Sequence, residues 1–219
     1  GYTPPAIKLS SDVMTPEVLW SFGRIGNVSV SPDGSKAVYD ITYFNKEEDR
    51  GYSDLYLMNL PEGQTTRLTD TDYNESDAGW TPDGKSITYL AKGQLWEMNP
   101  DGSNPRQVTD IPDGINGYVY APDMSKIVYL KDVQLEPTVQ DLYPDLPKAK
   151  ARIVDDQFYR HWNDWVDAYT HLFIADYVPA QPITTGKDIM EGERWESPVR
   201  PWGGVEQLAW TKDGKKLIY

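Results

Sequence analysis

Alternating apolar and polar residues return along the chain, each time after a similar tight turn. The turn reads Ser-Pro-Asp-Gly or a close variant, and it begins at Ser31, Thr81, Ala121 and Thr211. Such a run suits a type I turn, because Ser, Pro and Gly stand at the positions that favour them. The apolar residues after the turns have the period of two that is typical of a half-buried strand: Ala37 and Tyr39, Ile87 and Tyr89, Ile127 and Tyr129. Each copy therefore predicts a strand, a turn and a second strand.

Two further elements follow the first two turns. Residues 54–60 and 94–100 are alike and predict a third strand, and residues 66–70 and 105–110 predict a fourth. Four strands in roughly 40–45 residues is the pattern of a β-propeller blade. The predicted fold class is all-β: a partial β-propeller of four-stranded antiparallel blades, with about three blades and the start of a fourth.

The repeat also predicts where the parts of the chain begin and end. A lead-in segment over 1–26 contains a short helix, because Thr15 is a good N-cap and Pro16 suits the first helical position. Strands are expected to begin near Asn27, Gly79, Tyr118 and Gln207. The predicted blades are 27–72, 73–111, 115–190 and the beginning of a fourth at 205–219.

The third blade is longer than the others because its third strand reappears only at residues 171–177. The intervening stretch, 131–169, is rich in Pro, Asp and Lys and has no copy of the turn. It is predicted to be a helical or irregular insertion rather than an extra blade. Three segments should leave the sheets at the same end: this insertion, the shorter insertion at 44–52 and the linker 191–204. Loops on a rigid scaffold commonly carry function, so this end is the predicted functional end.

Composition narrows the classes of partner. The chain has 219 residues, with 34 acidic and 21 basic side chains and a net charge of −13. This balance argues against nucleic acid and anionic membranes as partners, since both favour surfaces rich in Lys and Arg. The absence of cysteine excludes disulfides and thiolate metal sites. No apolar run is long enough for a membrane span, and no signal peptide is visible.

Catalytic motifs are missing from the chain. It has no Gly-x-Ser-x-Gly elbow, no glycine-rich phosphate loop and no His-Glu-x-x-His. Its two histidines, His161 and His171, are too few for a metal site, and His171 is interpreted as an ordinary packed or half-exposed residue. No cofactor, no metal and no catalytic residue is predicted in this chain.

Aromatic and basic residues cluster at 159–165, which includes Arg160, Trp162 and Trp165. One interpretation is that the two tryptophans, three residues apart, bury one side of a short helical insert. The other is that the cluster forms a wall of a substrate cavity or an interface anchor, roles in which Trp and Arg are favoured.

Acidic residues on the same predicted end are further candidates. Glu47 and Glu48 lie in the first insertion, and Glu196 follows Trp195 in the linker. They are either solvated loop residues or carboxylates that bind the α-ammonium group of a peptide by charge-assisted hydrogen bonds. In the second case Glu196, with Glu47 or Glu48, should face the substrate's amino end.

The sequence resembles a known family in several features taken together: the turns, the third strands, the lead-in helix, Arg160-His161-Trp162 and Trp195-Glu196-Ser197-Pro198. They are similar to the N-terminal propeller of prolyl-oligopeptidase-family serine peptidases, in particular the bacterial acylaminoacyl-peptidase and dipeptidyl-peptidase V branch. Non-catalytic TolB-type periplasmic propellers, which bind a protein partner, share the repeats and are the alternative.

The resemblance implies a larger propeller followed by an α/β-hydrolase domain that carries Ser, Asp and His and is absent from this chain. The propeller would limit access to the active site and hold the amino end of a peptide substrate. A periplasmic or secreted location is expected, with a cytoplasmic one as the alternative. The resemblance also suggests that the protein forms a homodimer, which the residues themselves do not establish.

Overall fold

A computed structural model describes residues 1–153, 165–166 and 168–219. In these ranges the chain forms three four-stranded antiparallel sheets and one two-stranded sheet, together with two short α-helices. Within each four-stranded sheet, strands that are consecutive in the sequence are neighbours. The predicted fold class, a partial β-propeller with four-stranded antiparallel blades, is confirmed.

The first sheet, blade 1, follows the helix α1 (Pro16–Ser21), whose N-cap Thr15 accepts a hydrogen bond from the backbone of Val18. In the turn, the amide of Gly34 donates to the carbonyl of Ser31 at 2.8 Å. The strands of blade 1 are β1 (Arg24–Val30), β2 (Lys36–Asn45), β3 (Arg50–Asn59) and β4 (Thr65–Arg67).

Blade 2 repeats this arrangement, and the amide of Gly84 donates to the carbonyl of Thr81 at 2.8 Å. Its strands are β5 (Glu75–Trp80), β6 (Ile87–Ala91), β7 (Gln94–Met98) and β8 (Arg106–Gln107).

The first strands of both blades begin earlier than predicted. β1 starts at Arg24 rather than near Asn27, so it takes in the end of the expected lead-in segment, and β5 starts at Glu75 rather than near Gly79. Each strand contains a register shift, between Ile25 and Val28 in β1 and between Ser76 and Gly79 in β5. A bulge of this kind interrupts the alternation of side chains, which hides the first part of the strand in the sequence.

Blades 1 and 2 belong to one compact unit, Gly1–Gly114 together with Tyr177–Thr184. Val38 and Leu55 of blade 1 pack against residues of blade 2 in one buried cluster. The cluster members from blade 2 are Ala78, Ile87, Tyr89, Ala91 and Met98. Two polar contacts accompany this packing: the side-chain amide of Asn27 donates to the carbonyl of Ala78 at 2.9 Å, and the indole of Trp80 donates to the carbonyl of Ser29 at 3.2 Å.

The segment 177–184 was predicted to lie inside blade 3 (115–190), but it packs in the first unit. Ile183 forms a parallel bridge with Thr109. The amide of Ile183 donates to Val108, and the amide of Asp110 donates to Ile183, both at 2.8 Å. Backbone pairing between distant segments has no signature in the local pattern, which is why the sequence does not predict it.

The second compact unit consists of Ile115–Asp176 and Thr185–Tyr219. Its buried residues include Val128, Leu130 and Leu172. Before the last turn, Val205–Gln207 forms a 3₁₀ turn, so the next strand begins after the predicted Gln207. Blade 3 is made of β9 (Gly117–Tyr120), β10 (Lys126–Val133), β11 (Tyr169–Asp176) and β12 (Lys187–Asp188). The separate two-stranded sheet is made of β13 (Ala209–Trp210) and β14 (Leu217–Ile218).

The insertion between β10 and β11 is shorter than predicted, because these strands pair as far as Val133 and Tyr169. Its described residues include the helix α2 (Val139–Leu142), in which Thr138 and Asp141 form a capping box. No strand occurs in residues 134–153, so this part is helical or irregular, as the sequence predicts.

Candidate functional site

Glu47 and Glu48 lie in the exposed turn between β2 and β3. The side-chain oxygen of Asn45 accepts from the amide of Glu47 at 3.0 Å and fixes this turn. The carboxylate of Glu48 accepts a hydrogen bond from the hydroxyl of Tyr52, which raises the pKa of Tyr52. The guanidinium of Arg50 lies 4.6 Å from the centre of the Tyr52 ring. The turn therefore presents carboxylates to solvent, one of them already bonded to a tyrosine.

Glu196 is held in the linker of the second unit. One of its carboxylate oxygens accepts from Nε of Arg200 at 2.7 Å, and the other accepts from the amide of Arg200 at 3.3 Å. Arg200 also donates to the carbonyl of Ala168, just before β11. The amide of Ser197 donates to the carbonyl of Thr170 at 3.0 Å. Glu196 is therefore oriented by a cation, and its linker is attached to the beginning of β11.

The remaining predicted site residues are aromatic or basic. Trp195 is 71% exposed. Arg160 and Trp162 lie outside the described residues. Trp165 is described and is half exposed, with the guanidinium of Arg152 5.2 Å from its ring centre. The role of these residues in binding stays a prediction.

Glu47 and Glu48 belong to the first compact unit, and Trp195 and Glu196 belong to the second. The expected meeting of these carboxylates at one substrate also stays a prediction.

The third strands carry buried or partly buried polar residues whose partners the sequence does not predict. Asp54 pairs with Arg67 at 2.8 Å, and Gln94 accepts a hydrogen bond from Thr109 at 2.8 Å. His171, interpreted from sequence as an ordinary packed or half-exposed residue, is fully buried. A signal was present: each of these polar residues directly precedes a leucine, in Asp54-Leu55, Gln94-Leu95 and His171-Leu172.

Both ring nitrogens of His171 face acceptors. Nδ1 lies 2.8 Å from a carboxylate oxygen of Asp188, and Nε2 lies 3.0 Å from the carbonyl of Glu193. A histidine with both nitrogens engaged in this way has no nitrogen left to act as a general base. His171 therefore organises the structure, and the described residues show no nucleophile beside it.

Two carboxyl groups of the first unit are buried without a basic partner in contact. Glu75 accepts from the hydroxyls of Thr71 at 2.7 Å and Thr69 at 3.3 Å, and burial raises its pKa. Asp40 accepts from the amide of Asn27 at 3.2 Å, and burial also raises the pKa of Asp40. Glu75 bonds to the segment between blades 1 and 2, Asp40 bonds β1 to β2 within blade 1, and the two carboxyl groups do not form a catalytic arrangement.

Within the described residues, no group of three or more His, Cys, Asp or Glu side chains is placed to hold a metal ion. Over the same part of the chain, no helix has the length and apolar character needed to cross a membrane.

Comparison with known proteins identifies the relatives of this chain. Dipeptidyl-peptidase 5 of Porphyromonas gingivalis is 38% identical over 221 residues, which cover 99% of this chain and 32% of that protein. The protein of the same name from Porphyromonas endodontalis is 38% identical over 213 residues, covering 95% of this chain and 31% of the relative. The chain thus spans about a third of the length of these curated relatives. No family model matches the chain.

Among solved structures, the acylaminoacyl peptidase of Pyrococcus horikoshii aligns with a TM-score of 0.54 at 17% identity. The alignment covers 71% of this chain and 23% of that one. At this identity the likeness concerns the fold alone, and it agrees with the four-stranded sheets described above.

Consecutive four-stranded antiparallel sheets, in each of which a similar turn joins the first strand to the second, define a segment of a β-propeller. Together with the 38% identity to the dipeptidyl-peptidase 5 proteins, they place the chain among the propellers of the prolyl-oligopeptidase family of peptidases.

Proposed function

We propose that the intact protein is a serine exopeptidase of the dipeptidyl- or acylaminoacyl-peptidase type, and that this chain is part of its propeller. The observation that carries the proposal is the 38% identity to dipeptidyl-peptidase 5 over 99% of the chain. In this proposal a hydrolase domain elsewhere in the protein performs acyl transfer, with Ser as nucleophile and His as base. The propeller limits access to that domain and holds the amino end of the peptide.

The test uses the full-length gene product. We expect it to release the chromophore from dipeptidyl 4-nitroanilides and to be labelled by a fluorophosphonate, which reacts with activated serines. Replacing the labelled serine by alanine should abolish both signals. Absence of hydrolysis and of labelling in a folded full-length protein would contradict the proposal and favour a non-catalytic binding propeller.

The acidic residues of this chain are proposed to bind the α-ammonium group of the substrate. Glu196 supports this role because Arg200 holds its carboxylate in one orientation. Glu47 and Glu48 support it because they lie in an exposed turn rather than in a core. A desolvated contact between ammonium and carboxylate is worth enough to select peptides with a free amino end.

The variant Glu196→Gln tests this role in the full-length enzyme. Loss of a desolvated charge pair costs about 2–5 kcal/mol, so kcat/KM on free-amine dipeptidyl substrates should fall by about 30-fold or more. N-acetylated analogues should be affected much less. The matched control is Glu191→Gln, which changes an exposed glutamate of the same linker and should leave both rates unchanged.

The measurements on Glu196→Gln also distinguish a role of Glu196 in substrate binding from a purely structural role. Equal losses on free and acetylated substrates, with a lower melting temperature, would show that the pair of Glu196 and Arg200 only attaches the linker to β11. An unchanged rate on free-amine substrates would remove Glu196 from the site.

A further inference from the structure

The linker is attached to β11 on both sides of Glu196. After Glu196, the amide of Ser197 donates to the carbonyl of Thr170 at 3.0 Å. Before it, the ring nitrogen Nε2 of His171 lies 3.0 Å from the carbonyl of Glu193. The His171 ring is fully buried, so this contact is not weakened by water. His171 is therefore placed to set the path by which the linker reaches Glu196.

An exposed ion pair also contacts the linker before Glu196. Arg194 pairs with Glu136 at 2.9 Å, and both side chains are about half exposed. Water and salt screen a pair of this kind, so it contributes little to holding the backbone. The buried contact of His171 should therefore matter more for the path of the linker than this pair does.

The other ring nitrogen of His171 fixes how the ring is turned. Nδ1 lies 2.8 Å from Oδ2 of Asp188, whose Oδ1 accepts from the amide of Met190 at 2.8 Å. An ionised carboxylate and a backbone carbonyl can only accept hydrogen bonds. Both contacts of the ring are therefore hydrogen bonds only when each nitrogen carries a hydrogen. A ring that lacked one hydrogen would turn a lone pair toward Asp188 or toward the carbonyl of Glu193.

The internal repeat shows what this position does in the other blades. Asp54, Gln94 and His171 each stand directly before a leucine of the third strand. Asp54 bonds to Arg67 on the fourth strand, and Gln94 bonds to Thr109, just after the fourth strand. The position thus ties the third strand to the end of its blade. In blade 3 the segment that follows the fourth strand, and that this position holds, is the linker.

We propose that His171 is a positioning residue for Glu196. With a hydrogen on each ring nitrogen, it joins Asp188 of β12 to the carbonyl of Glu193. It thereby holds the linker in the path that presents the Glu196 carboxylate to the α-ammonium group of a peptide. This inference rests on the proposed role of Glu196 in binding that group. His171 itself touches no substrate and acts through the linker.

The first test uses the variant His171→Gln in the full-length protein. Glutamine carries both of its side-chain N–H groups on one nitrogen, so it cannot donate to Asp188 and to the Glu193 carbonyl on opposite sides. The measured quantity is the ratio of kcat/KM on a free-amine dipeptidyl substrate to kcat/KM on its N-acetylated analogue. This ratio should fall by about 10-fold or more, because a small misplacement of a binding group is enough to cost this much.

The matched control is Gln94→Leu, which removes the polar contacts at the equivalent position of blade 2, in the other compact unit. It should lower stability and leave the ratio unchanged. Glu196→Gln, measured alongside, separates this inference from the proposed function. If Glu196→Gln lowers the ratio and a folded His171→Gln does not, the positioning role of His171 is wrong. If Glu196→Gln leaves the ratio unchanged, the proposed role of Glu196 fails first, and the inference fails with it.

A second measurement counts the hydrogens on the ring and leaves His171 in place. In the full-length protein with isotopically labelled histidine, spectra that correlate ring nitrogens with ring protons distinguish two protonated nitrogens from one. Asp188→Asn replaces a carboxylate oxygen by an amide group that can donate to Nδ1. One histidine should therefore change from two protonated nitrogens to one. If no histidine ring differs between the two proteins, His171 does not carry both hydrogens, and the inference is overturned.

Discussion

At the scale of single residues, blades 1 and 3 place a hydrogen-bonded polar pair at equivalent positions of their third and fourth strands. Asp54 on β3 bonds to Arg67, and His171 on β11 bonds to Asp188. The fourth-strand partners are equivalent, since Arg67 pairs with the residue two after Asp54 and Asp188 pairs with the residue two after His171. Removing Arg67 would leave the buried charge of Asp54 without its partner, a change that typically costs about 3–5 kcal/mol. These pairs therefore attach third strands to fourth strands.

The turn residue Met124 departs from the repeat and gives a first prediction. Gly34, Gly84 and Gly214 close their turns at φ values of 73°, 70° and 67°, and Met124 stands at 58° in the third copy. A residue with a side chain loses about 1–2 kcal/mol of stability in this left-handed region, and glycine does not. Glycine offsets part of this advantage, because it loses more conformational freedom on folding than other residues. Met124→Gly should therefore raise the free energy of unfolding by about 0.5–1 kcal/mol, measured by urea titration.

The control for this turn is Gly34→Ala. Nothing lies within 4 Å of a Cβ built at Gly34, so only backbone strain should act. It should lower the free energy of unfolding by about 1 kcal/mol. A loss of stability in Met124→Gly would mean that the methionine side chain contributes packing that outweighs its strain.

At the scale of elements, the sequence predicts what local pattern encodes and misses what depends on distant contacts. The third strand β7 spans Gln94–Met98, within the predicted residues 94–100, because alternation and turn residues define it locally. The extra pairing of β10 with β11 beyond Lys131 is missed, because Asp132 and Val133 continue the strand without a recognisable alternation. The contact of residues 177–184 with residues 108–110, directly after β8, is missed because backbone pairing between distant segments leaves no pattern in the sequence.

The attachment of the segment 177–184 gives a second prediction. The hydroxyl of Tyr177 donates to the buried carboxylate of Glu97 at 2.8 Å and 3.1 Å. Burial and the neighbouring Glu97 raise the pKa of Tyr177 to about 12, so the donor keeps its proton at neutral pH. Tyr177→Phe leaves Glu97 with one donor fewer and should lower the free energy of unfolding by about 1–3 kcal/mol.

Hydrogen exchange localises the effect of this variant. The amide of Ile183, bonded to the carbonyl of Val108, should exchange faster in Tyr177→Phe than in the parent protein. The matched control is Tyr143→Phe, since Tyr143 is half exposed. Equal protection of Ile183 in all three proteins would show that the backbone bridge alone holds the segment.

At the scale of the whole molecule, the candidate site is less predictable from sequence than the fold. The linker sequence points to Glu196 as a candidate, but it does not show that Arg200, four residues further on, bonds to its carboxylate and orients it. Whether a carboxylate binds substrate or a neighbouring cation depends on the backbone path between them. The sequence repeat predicts the backbone path inside the blades, but it does not predict the backbone path of the linker.

The charge distribution of the molecule gives the last prediction, on pH. Burial raises the pKa of Asp40 and Glu75, whose ordinary values are 3.8 and 4.5. Hydrogen bonds from Ser31 and Ser35 lower the pKa of Asp33 from 3.8 to about 2. The stabilisation from protonating Asp40 and Glu75 is fully present below their ordinary values and is lost as pH rises through the raised ones. The contribution of Asp33 has the opposite sign: it is present above pH 3.8 and is lost as pH falls toward 2.

The melting temperature should therefore rise as the pH is lowered from the alkaline side toward 4.5 and 3.8, the ordinary pKa values of Glu75 and Asp40, and fall again as the pH drops below 3.8 toward 2. The net charge of −13 strengthens the first trend, because protonation relieves repulsion among the carboxylates. Asp40→Asn should reduce the slope on the alkaline side, and Asp33→Ala should reduce the slope on the acidic side. Thermal scans at constant ionic strength measure both slopes. If Asp40→Asn kept the parent's alkaline slope, the trend would belong to net charge alone, and Asp40 would contribute nothing to it.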